Sequence, residues 1–191
     1  MRKLSLQQFA VSLDGYICEE NTEFERLCQG LEDAEFDRYF VDTLGRAQTH
    51  IMGSVTYLAM ADHWPKAADS DNPIVAEIAA IMNDRPKVVF SRTLETASWP
   101  EARIASGDTA AEIARLKQEP GGEIVAHGGA VFVRSLARLE VVDEYRLYVM
   151  PFAIGSGTSL FGDLERPQAL RLVSSKAFPS GALELVYERA G

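Results

Sequence analysis

Ile124-Val125-Ala126-His127-Gly128-Gly129-Ala130-Val131-Phe132 is the stretch on which the fold turns. Its first half is short, apolar and partly β-branched, which reads as a strand buried on both faces. Its second half opens a helical pattern from Ala130 to about Leu139. Between them stand two glycines, which let another backbone or a flat ring come close and tolerate torsions closed to other residues. A strand running through glycines into a helix is where open α/β sheets hold anions, because first-turn N–H groups lack partners and the helix dipole favours negative charge. A turn demanded by packing alone is the competing explanation.

Two further places repeat the pattern. Met52-Gly53-Ser54-Val55-Thr56-Tyr57 follows the strand-like Thr49–Met52 and starts a short helix. Gly53 would let phosphate approach backbone and Thr56 would add a hydroxyl, although Gly53 is equally suited to a plain strand-to-helix turn. Ser91-Arg92-Thr93-Leu94 follows Val88-Val89-Phe90, another buried-strand signature. The guanidinium of Arg92, flanked by the hydroxyls of Ser91 and Thr93, matches a phosphate dianion in charge and geometry, against the alternative of a solvated arginine at a strand end. Three such corners, one with an arginine, point together to a phosphorylated dinucleotide.

Strand-like and helix-like runs alternate around these corners: strand Leu4–Val11, a helix within Glu23–Leu44, a helix from Thr109 to about Lys117, and strand Glu144–Val149. Thr109-Ala110-Ala111-Glu112 fits a capping box. Ala61–Pro73, rich in Asp, Ala and Pro, reads as a surface loop. Ala169–Phe178 and Ala182–Glu188 flank Pro179-Ser180-Gly181 and read as an antiparallel hairpin. The expected fold class is α/β, with a mixed, mostly parallel sheet, flanking helices and a C-terminal antiparallel hairpin. No repeat or linker divides residues 1–191, and 47% hydrophobic content suits one domain with a full core.

Composition narrows the partners. A net charge of −9 argues against a nucleic-acid or acidic-membrane surface. It also gives weight to an arginine beside a glycine corner. No apolar run approaches the roughly 20 residues of a membrane span, and the N-terminus turns polar too early for a signal peptide, so a cytoplasmic protein is expected. Cys18 and Cys28 match no zinc or redox spacing, and His50, His63 and His127 are scattered, so no metal site is expected.

These landmarks, in order, resemble the dihydrofolate reductase-like superfamily, and within it the branch containing the reductase domain of bacterial riboflavin biosynthesis. The matching pieces are Val11-Ser12-Leu13-Asp14-Gly15-Tyr16-Ile17, Met52–Tyr57, Ser91–Leu94, Gly128-Gly129, Val142-Asp143-Glu144-Tyr145, and Pro151-Phe152-Ala153-Ile154-Gly155-Ser156-Gly157 with Leu160-Phe161. The resemblance runs nearly end to end. It implies a three-layer fold, an NADPH-dependent reductase acting on a small molecule, and a homodimer. By the same likeness Gly53, Ser54, Val55 and Thr56 would meet the pyrophosphate, and Ser91, Arg92 and Thr93 the adenosine 2′-phosphate. Gly128 and Gly129, with Ala130 and Val131 opening the next helix, would serve the pyrophosphate and nicotinamide side, while Ala10 and Ile17 would border the nicotinamide. Many relatives carry arginine after the glycine where this chain has Ser54, so one cationic phosphate contact is absent.

Three residues face the substrate question. Asp37 falls where dihydrofolate reductases keep an acid in the helix before the first glycine corner, although Glu32, Asp33, Glu35 and Asp42 crowd the same helix and a solvated acidic face accounts for it equally well. The Pro-Trp pair that precedes that acid in dihydrofolate reductases is absent. Asp14, in an Asp-Gly turn after the first strand, is a substrate or gating candidate; His127 is placed to touch substrate or nicotinamide. Gly155-Ser156-Gly157-Thr158-Ser159-Leu160 looks like a dinucleotide fingerprint but lacks its last glycine and a following helix, and reads as a loop. Trp64, Phe40, Tyr57 and Tyr16 read chiefly as core. The expected reaction is hydride transfer to a C=N or C=O carbon, with reduction of the ribosylaminopyrimidine of riboflavin synthesis as the specific form. Dihydrofolate reduction and a non-catalytic nucleotide-binding or dimerising protein are the alternatives.

Overall fold

The computed structural model describes residues 1–19, 22–162 and 164–190. In chain order the elements are β1 (Leu4–Val11), α1 (Glu23–Gln29), α2 (Ala34–Leu44), β2 (Ala47–Gly53), α3 (Ser54–Ala67), α4 (Pro73–Asp84), β3 (Lys87–Phe90) and β4 (Ala102–Ile104). They continue with α5 (Thr109–Gln118), β5 (Glu123–His127), α6 (Ala130–Arg138), β6 (Glu144–Val149), β7 (Leu170–Ala177) and β8 (Leu183–Arg189). All eight strands join one sheet in the order β4-β3-β2-β5-β1-β6-β8-β7. From β4 through β6 every pairing is parallel, and only β6–β8 and β7–β8 are antiparallel.

Helices cover both faces, because alternate side chains of each strand go to opposite sides. Leu4, Leu6, Ile51, Val88, Ile124, Tyr145 and Leu147 pack with Ile113 and Leu116 of α5 and Phe132, Val133 and Leu136 of α6. Met52 and Val89 face the other way, with Leu44, Tyr57 and Met82 of α2, α3 and α4. Tyr148 joins Phe24, Phe36 and Phe178 beyond them. The result is three layers, helix–sheet–helix.

Several boundaries differ from the sequence reading, for local reasons. The single helix expected within Glu23–Leu44 is two, because Thr22 caps α1 and Asp33 caps α2 with its own carboxylate. The expected loop Ala61–Pro73 is mostly helix: α3 continues to Ala67 through Pro65, and Asn72 then caps α4, which has Pro73 in its first turn. The cap of α5 is Asp108, whose carboxylate accepts from Ala111 N–H, not Thr109. Glu112 is instead buried between Arg103 and Arg115. Helix α4 and strand β4 have no counterpart in the sequence reading.

Buried polar groups fasten these layers to one another. Arg146 lies between Glu144 and Glu184, and Glu184 also accepts from the Tyr39 hydroxyl of α2 (2.7 Å). The Asp33 carboxylate accepts from Glu35 and Phe36 N–H at the start of α2 and, through its second oxygen, from Ser180 N–H in the β7–β8 turn. Helix α2 is therefore fastened to the C-terminal hairpin at both points. Lys87 is fully buried, with its ammonium donating to the carbonyls of Asn83, Arg85 and Pro100 and lying over the Trp99 ring; burial lowers its pKa to about 8.

Candidate active site

Because β3, β2, β5 and β1 are consecutive and parallel, their carboxyl ends share one edge. That edge carries, side by side, Ser91-Arg92-Thr93, Gly53, Gly128-Gly129 and Ala10. Among the described residues, four of the six helices begin with a side-chain cap, from Thr22, Asp33, Asn72 and Asp108. The two without one are α3 and α6, which start at this edge on Gly53 and Gly129. Ser54, Val55, Ala130 and Val131 thus begin helices with no side-chain oxygen over their N–H groups, and Val55 and Val131 are each 80% exposed. Uncapped first turns leave donors and the positive dipole end available to an anion.

The two corners are locked together. Thr56 Oγ1 donates to the Gly128 carbonyl (2.6 Å), so the hydroxyl that the sequence offered to phosphate is engaged in joining α3 to the α6 corner. Gly129 has φ of 101°, and a Cβ there would lie 2.5 Å from Thr56 Oγ1. A Cβ on Gly128 would lie 2.6 Å from the amide oxygen of Gln8. Gly129 is therefore required by its torsion as well as by the close approach of Thr56, whereas at Gly128 the neighbour is the far end of the Gln8 side chain, which would have to shift. At Gly53 the demand is milder: its torsions are ordinary, but a Cβ would sit 3.1 Å from Phe132 Cβ.

At the end of β3, Ser91 Oγ accepts from Thr93 N–H (3.1 Å) and Leu94 N–H (2.9 Å), which closes a tight turn. Ser91 is thereby largely engaged by its own loop. Arg92 and Thr93 are exposed, and Arg92 forms no ion pair among the described residues. On a chain of net charge −9 this leaves one accessible guanidinium one strand away from the Gly53 corner.

Strand β1 ends in an irregularity. Its register with β6 shifts between Gln8 and Val11, and Ala10 is wholly buried with φ of 55°. A left-handed alanine costs of order 1–2 kcal/mol, and such strain concentrates at functional sites. Ile17 is only 6% exposed, packs in the core and donates its N–H to Thr158, so neither its side chain nor its donor faces outward. The loop after β1 is stitched to the loop after β6: the Asp14 carboxylate accepts from Ile154 and Gly155 N–H. Hydrogen bonds from Ser12 and Gly155 hold that carboxyl down to about 2. Asp14 thus serves this junction. The 155–160 segment is a loop, tied to α6 by Arg134, which donates to the Ser159 carbonyl.

Facing this edge on the α2 side is an aromatic group. Phe9, 46% exposed, lies 5.0 Å from Phe40, 6.0 Å from Phe36 and 6.3 Å from Tyr148, centroid to centroid. Asp37 stands between Phe36 and Phe40 in the sequence of α2. Its neighbours Asp42 and Glu35 are exposed and paired, with Arg38 and Lys176. Asp37 is half-buried, forms no ion pair among the described residues, and has its pKa raised by burial and then by Asp33. It is therefore unlike a solvated acidic face. Tyr57 is buried and accepts from Trp99 N–H, as a core residue; Trp64 and Tyr16 are half-buried.

His127, at the end of β5, has its Nε2 2.7 Å from Nδ1 of the fully buried His50. Burial lowers both imidazoles, His127 to about 4 and His50 well below its ordinary value, with the His127 ring and then the cations of Lys87 and Arg85 adding to the effect at His50. His50, Gln8 and Phe9 escaped the sequence reading. The signal for the second was present: Gln7-Gln8 is a polar pair inside a strand otherwise apolar on both sides. The amide oxygen of Gln8 is buried without a partner beneath Gly128.

Among the described residues no group of three or more His, Cys, Asp or Glu is placed to hold a metal ion, and no helix is long and apolar enough to cross a membrane. Two cavities of about 360 and 520 Å³ lie at the opposite, amino edge of the sheet, lined by residues such as Arg2, Glu119 and Glu144 that already pair within the fold.

Residues 6–183 match the model of the RibD C-terminal domain. The chain is 30% identical over 182 residues to the uncharacterized protein YyaP of Bacillus subtilis (strain 168), covering 95% of this chain and 93% of that one. Among solved structures, a diaminohydroxyphosphoribosylaminopyrimidine deaminase/5-amino-6-(5-phosphoribosylamino)uracil reductase from Thermotoga maritima aligns over 99% of this chain and 57% of its own, with 15% identity and a TM-score of 0.66. The dihydrofolate reductase of Enterococcus faecalis, complexed with NADP(H), aligns over 99% of this chain and 97% of its own, with 14% identity and a TM-score of 0.63. Those two likenesses concern the fold, which is that of dihydrofolate reductase. With nearly its whole length matched, the chain belongs to the RibD C-terminal domain family.

Proposed function

We propose that the protein is an NADPH-dependent reductase of small heterocyclic or sugar-derived substrates. The observation that carries this reading is the pair of uncapped helix starts, α3 and α6, joined through Thr56 and Gly128 beside the exposed Arg92. Backbone donors at both corners suit a pyrophosphate, and Arg92 suits a 2′-phosphate, which favours NADPH over NADH. The bound dinucleotide supplies the hydride; the chain orients it and excludes water. Ala10, on the strained end of β1, would abut the nicotinamide, and Phe9, Phe40 and Asp37 would enclose the acceptor. The raised pKa of Asp37 lets it hold a proton closer to neutrality, for delivery to the acceptor atom beside the reduced carbon.

Family membership and the Thermotoga likeness favour the ribosylaminopyrimidine of riboflavin synthesis as substrate. The half-buried Asp37 supports a second reading, reduction of dihydrofolate. In either case a cytoplasmic homodimer is the working form, as the family resemblance implies. Calorimetry is expected to give saturable NADPH binding, with NADH weaker. Loss of reduced-nicotinamide absorbance with the ribosylaminopyrimidine or with dihydrofolate then selects the substrate. Absence of any NADPH heat at millimolar concentration would overturn the reading, and binding without turnover on either compound would make the protein a nucleotide binder.

A further inference from the structure

His50 and His127 are two buried imidazoles sharing one short contact, and only one hydrogen fits between Nδ1 of His50 and Nε2 of His127. The remaining nitrogens differ. His50 Nε2 is sealed from solvent and has no partner. His127 Nδ1 also has no hydrogen-bond partner among the described residues but is not sealed. His127 is in register with Gln7, whose amide reaches Tyr148, so it lies on the sheet face covered by α2, where Phe9 meets Phe40. It is also the last residue before the Gly128-Gly129 corner.

The position of the shared hydrogen is set by what surrounds His50. If His127 were the donor, His50 Nε2 would carry a hydrogen in a sealed place with nothing to accept it. If His50 is the donor, that nitrogen is a bare lone pair. Buried N–H groups without acceptors are rarer than under-satisfied acceptors. His50 is also in register with Lys87, and the cations of Lys87 and Arg85 act on its ring, which favours a lone pair over an N–H dipole. His50 therefore donates through Nδ1. His127, neutral because it is buried, then carries its own hydrogen on Nδ1, the ring nitrogen left unsealed at the carboxyl edge of the sheet.

We propose that His127 presents a fixed Nδ1–H donor, its tautomer set by His50, to an uncharged carbonyl oxygen or ring nitrogen of the molecule that receives the hydride. This rests on the reading of the cleft as a hydride-transfer site. It adds to that reading a substrate class: a neutral heterocycle with an acceptor atom at the cleft floor, as opposed to an anionic group there. His50 is a positioning residue and His127 a specificity determinant.

Two-bond proton–nitrogen correlation spectra of protein labelled with nitrogen-15 histidine test the tautomer without any turnover. Both His50 and His127 are expected in the Nδ1–H form, with the exposed His63 as the internal comparison. An Nε2–H His127 would overturn the assignment, whether or not NADPH binds. With NADP⁺ present, 5,6-diaminouracil is expected to shift the His127 Nδ1 resonance. The same pair of amines on benzene, lacking carbonyl and ring nitrogen, is expected to leave it in place. A resonance indifferent to both compounds, in protein that binds NADPH normally, refutes the contact and spares the cofactor reading. His127→Gln keeps a group toward His50 but loses the cleft donor, and should weaken 5,6-diaminouracil binding about tenfold. His127→Asn restores a donor at the Nδ1 position and should stay within about threefold of wild type; the reverse ranking also refutes the proposal.

Discussion

Replacing Thr56 by valine removes one oxygen and keeps the shape, which isolates the hydrogen bond that joins the two glycine corners. Thr56 Oγ1 donates to the Gly128 carbonyl at 2.6 Å across a partly buried contact 72 residues apart in sequence. A neutral hydrogen bond contributes about 1 kcal/mol net, and leaving its partner unsatisfied raises the loss to about 1–3 kcal/mol. Partial burial lets water reach the carbonyl, so the lower half applies, about 1–2 kcal/mol. For a chain of this length each kcal/mol moves the melting temperature by about 2–4 °C, so Tm should fall by about 2–8 °C. Close packing adds a second effect. Gly129 has room only because it lacks a Cβ at 2.5 Å from that hydroxyl, so a methyl in the same place holds the volume but no longer the register of α6 against α3. NADPH affinity should therefore fall further than the loss of stability alone explains, and Thr56→Ser should restore both. Differential scanning calorimetry and NADPH titration on the three proteins measure this. If the valine protein melts and binds like wild type, the corners are not held by this bond and the reasoning fails.

Arg92→Ala should raise the Kd for NADPH by about 10–150-fold while leaving NADH unchanged, since a hydrogen bond to a charged group contributes about 1.5–3 kcal/mol; the NADPH/NADH ratio, titrated at low and high salt, measures it. Asp37→Asn should abolish turnover of whichever pterin or pyrimidine is reduced yet leave NADPH binding intact, which paired kinetics and calorimetry reveal. Stability should fall as pH drops from about 6.5 towards 4. His127 is neutral in both states above its ordinary 6.5, and as pH drops towards 4 the unfolded chain takes a proton that the folded one refuses. That loss is about 1.4 kcal/mol per pH unit and about 3 kcal/mol in all, with His50 acting in the same direction. Urea midpoints at about pH 7.5 and 5 should show it, and His127→Gln should reduce it.

Much of the fold was legible because it is locally encoded. Leu4–Val11 and Glu144–Val149 coincide with strands, and the run through Gly128-Gly129 becomes β5, corner and α6. The misreadings share one origin. Ala61–Pro73 reads as loop by composition, yet Tyr57 and Ala67 of α3 and Ala79 and Met82 of α4 bury one face each, which outweighs Asp and Pro between them. Asn72-Pro73 is itself a helix-start signal. The break between α1 and α2 rests on Asp33, whose carboxylate serves its own helix and a turn 147 residues away; only the first half of that role is local.

For the site the division is sharper. The sequence alone determined which residues expose backbone to a ligand, because glycine torsions, uncapped helix starts and a strand-end arginine depend on near neighbours along the chain. It did not determine what those residues touch. Thr56 locks one corner to the other, Asp14 clasps two loops, and His127 is half of a pair. Only the parallel order β2-β5-β1-β6 decided these, since it sets His50 beside His127, Gly53 beside Gly129 and the loop after β1 beside the loop after β6, and burial then forces each polar atom to find a partner or go without.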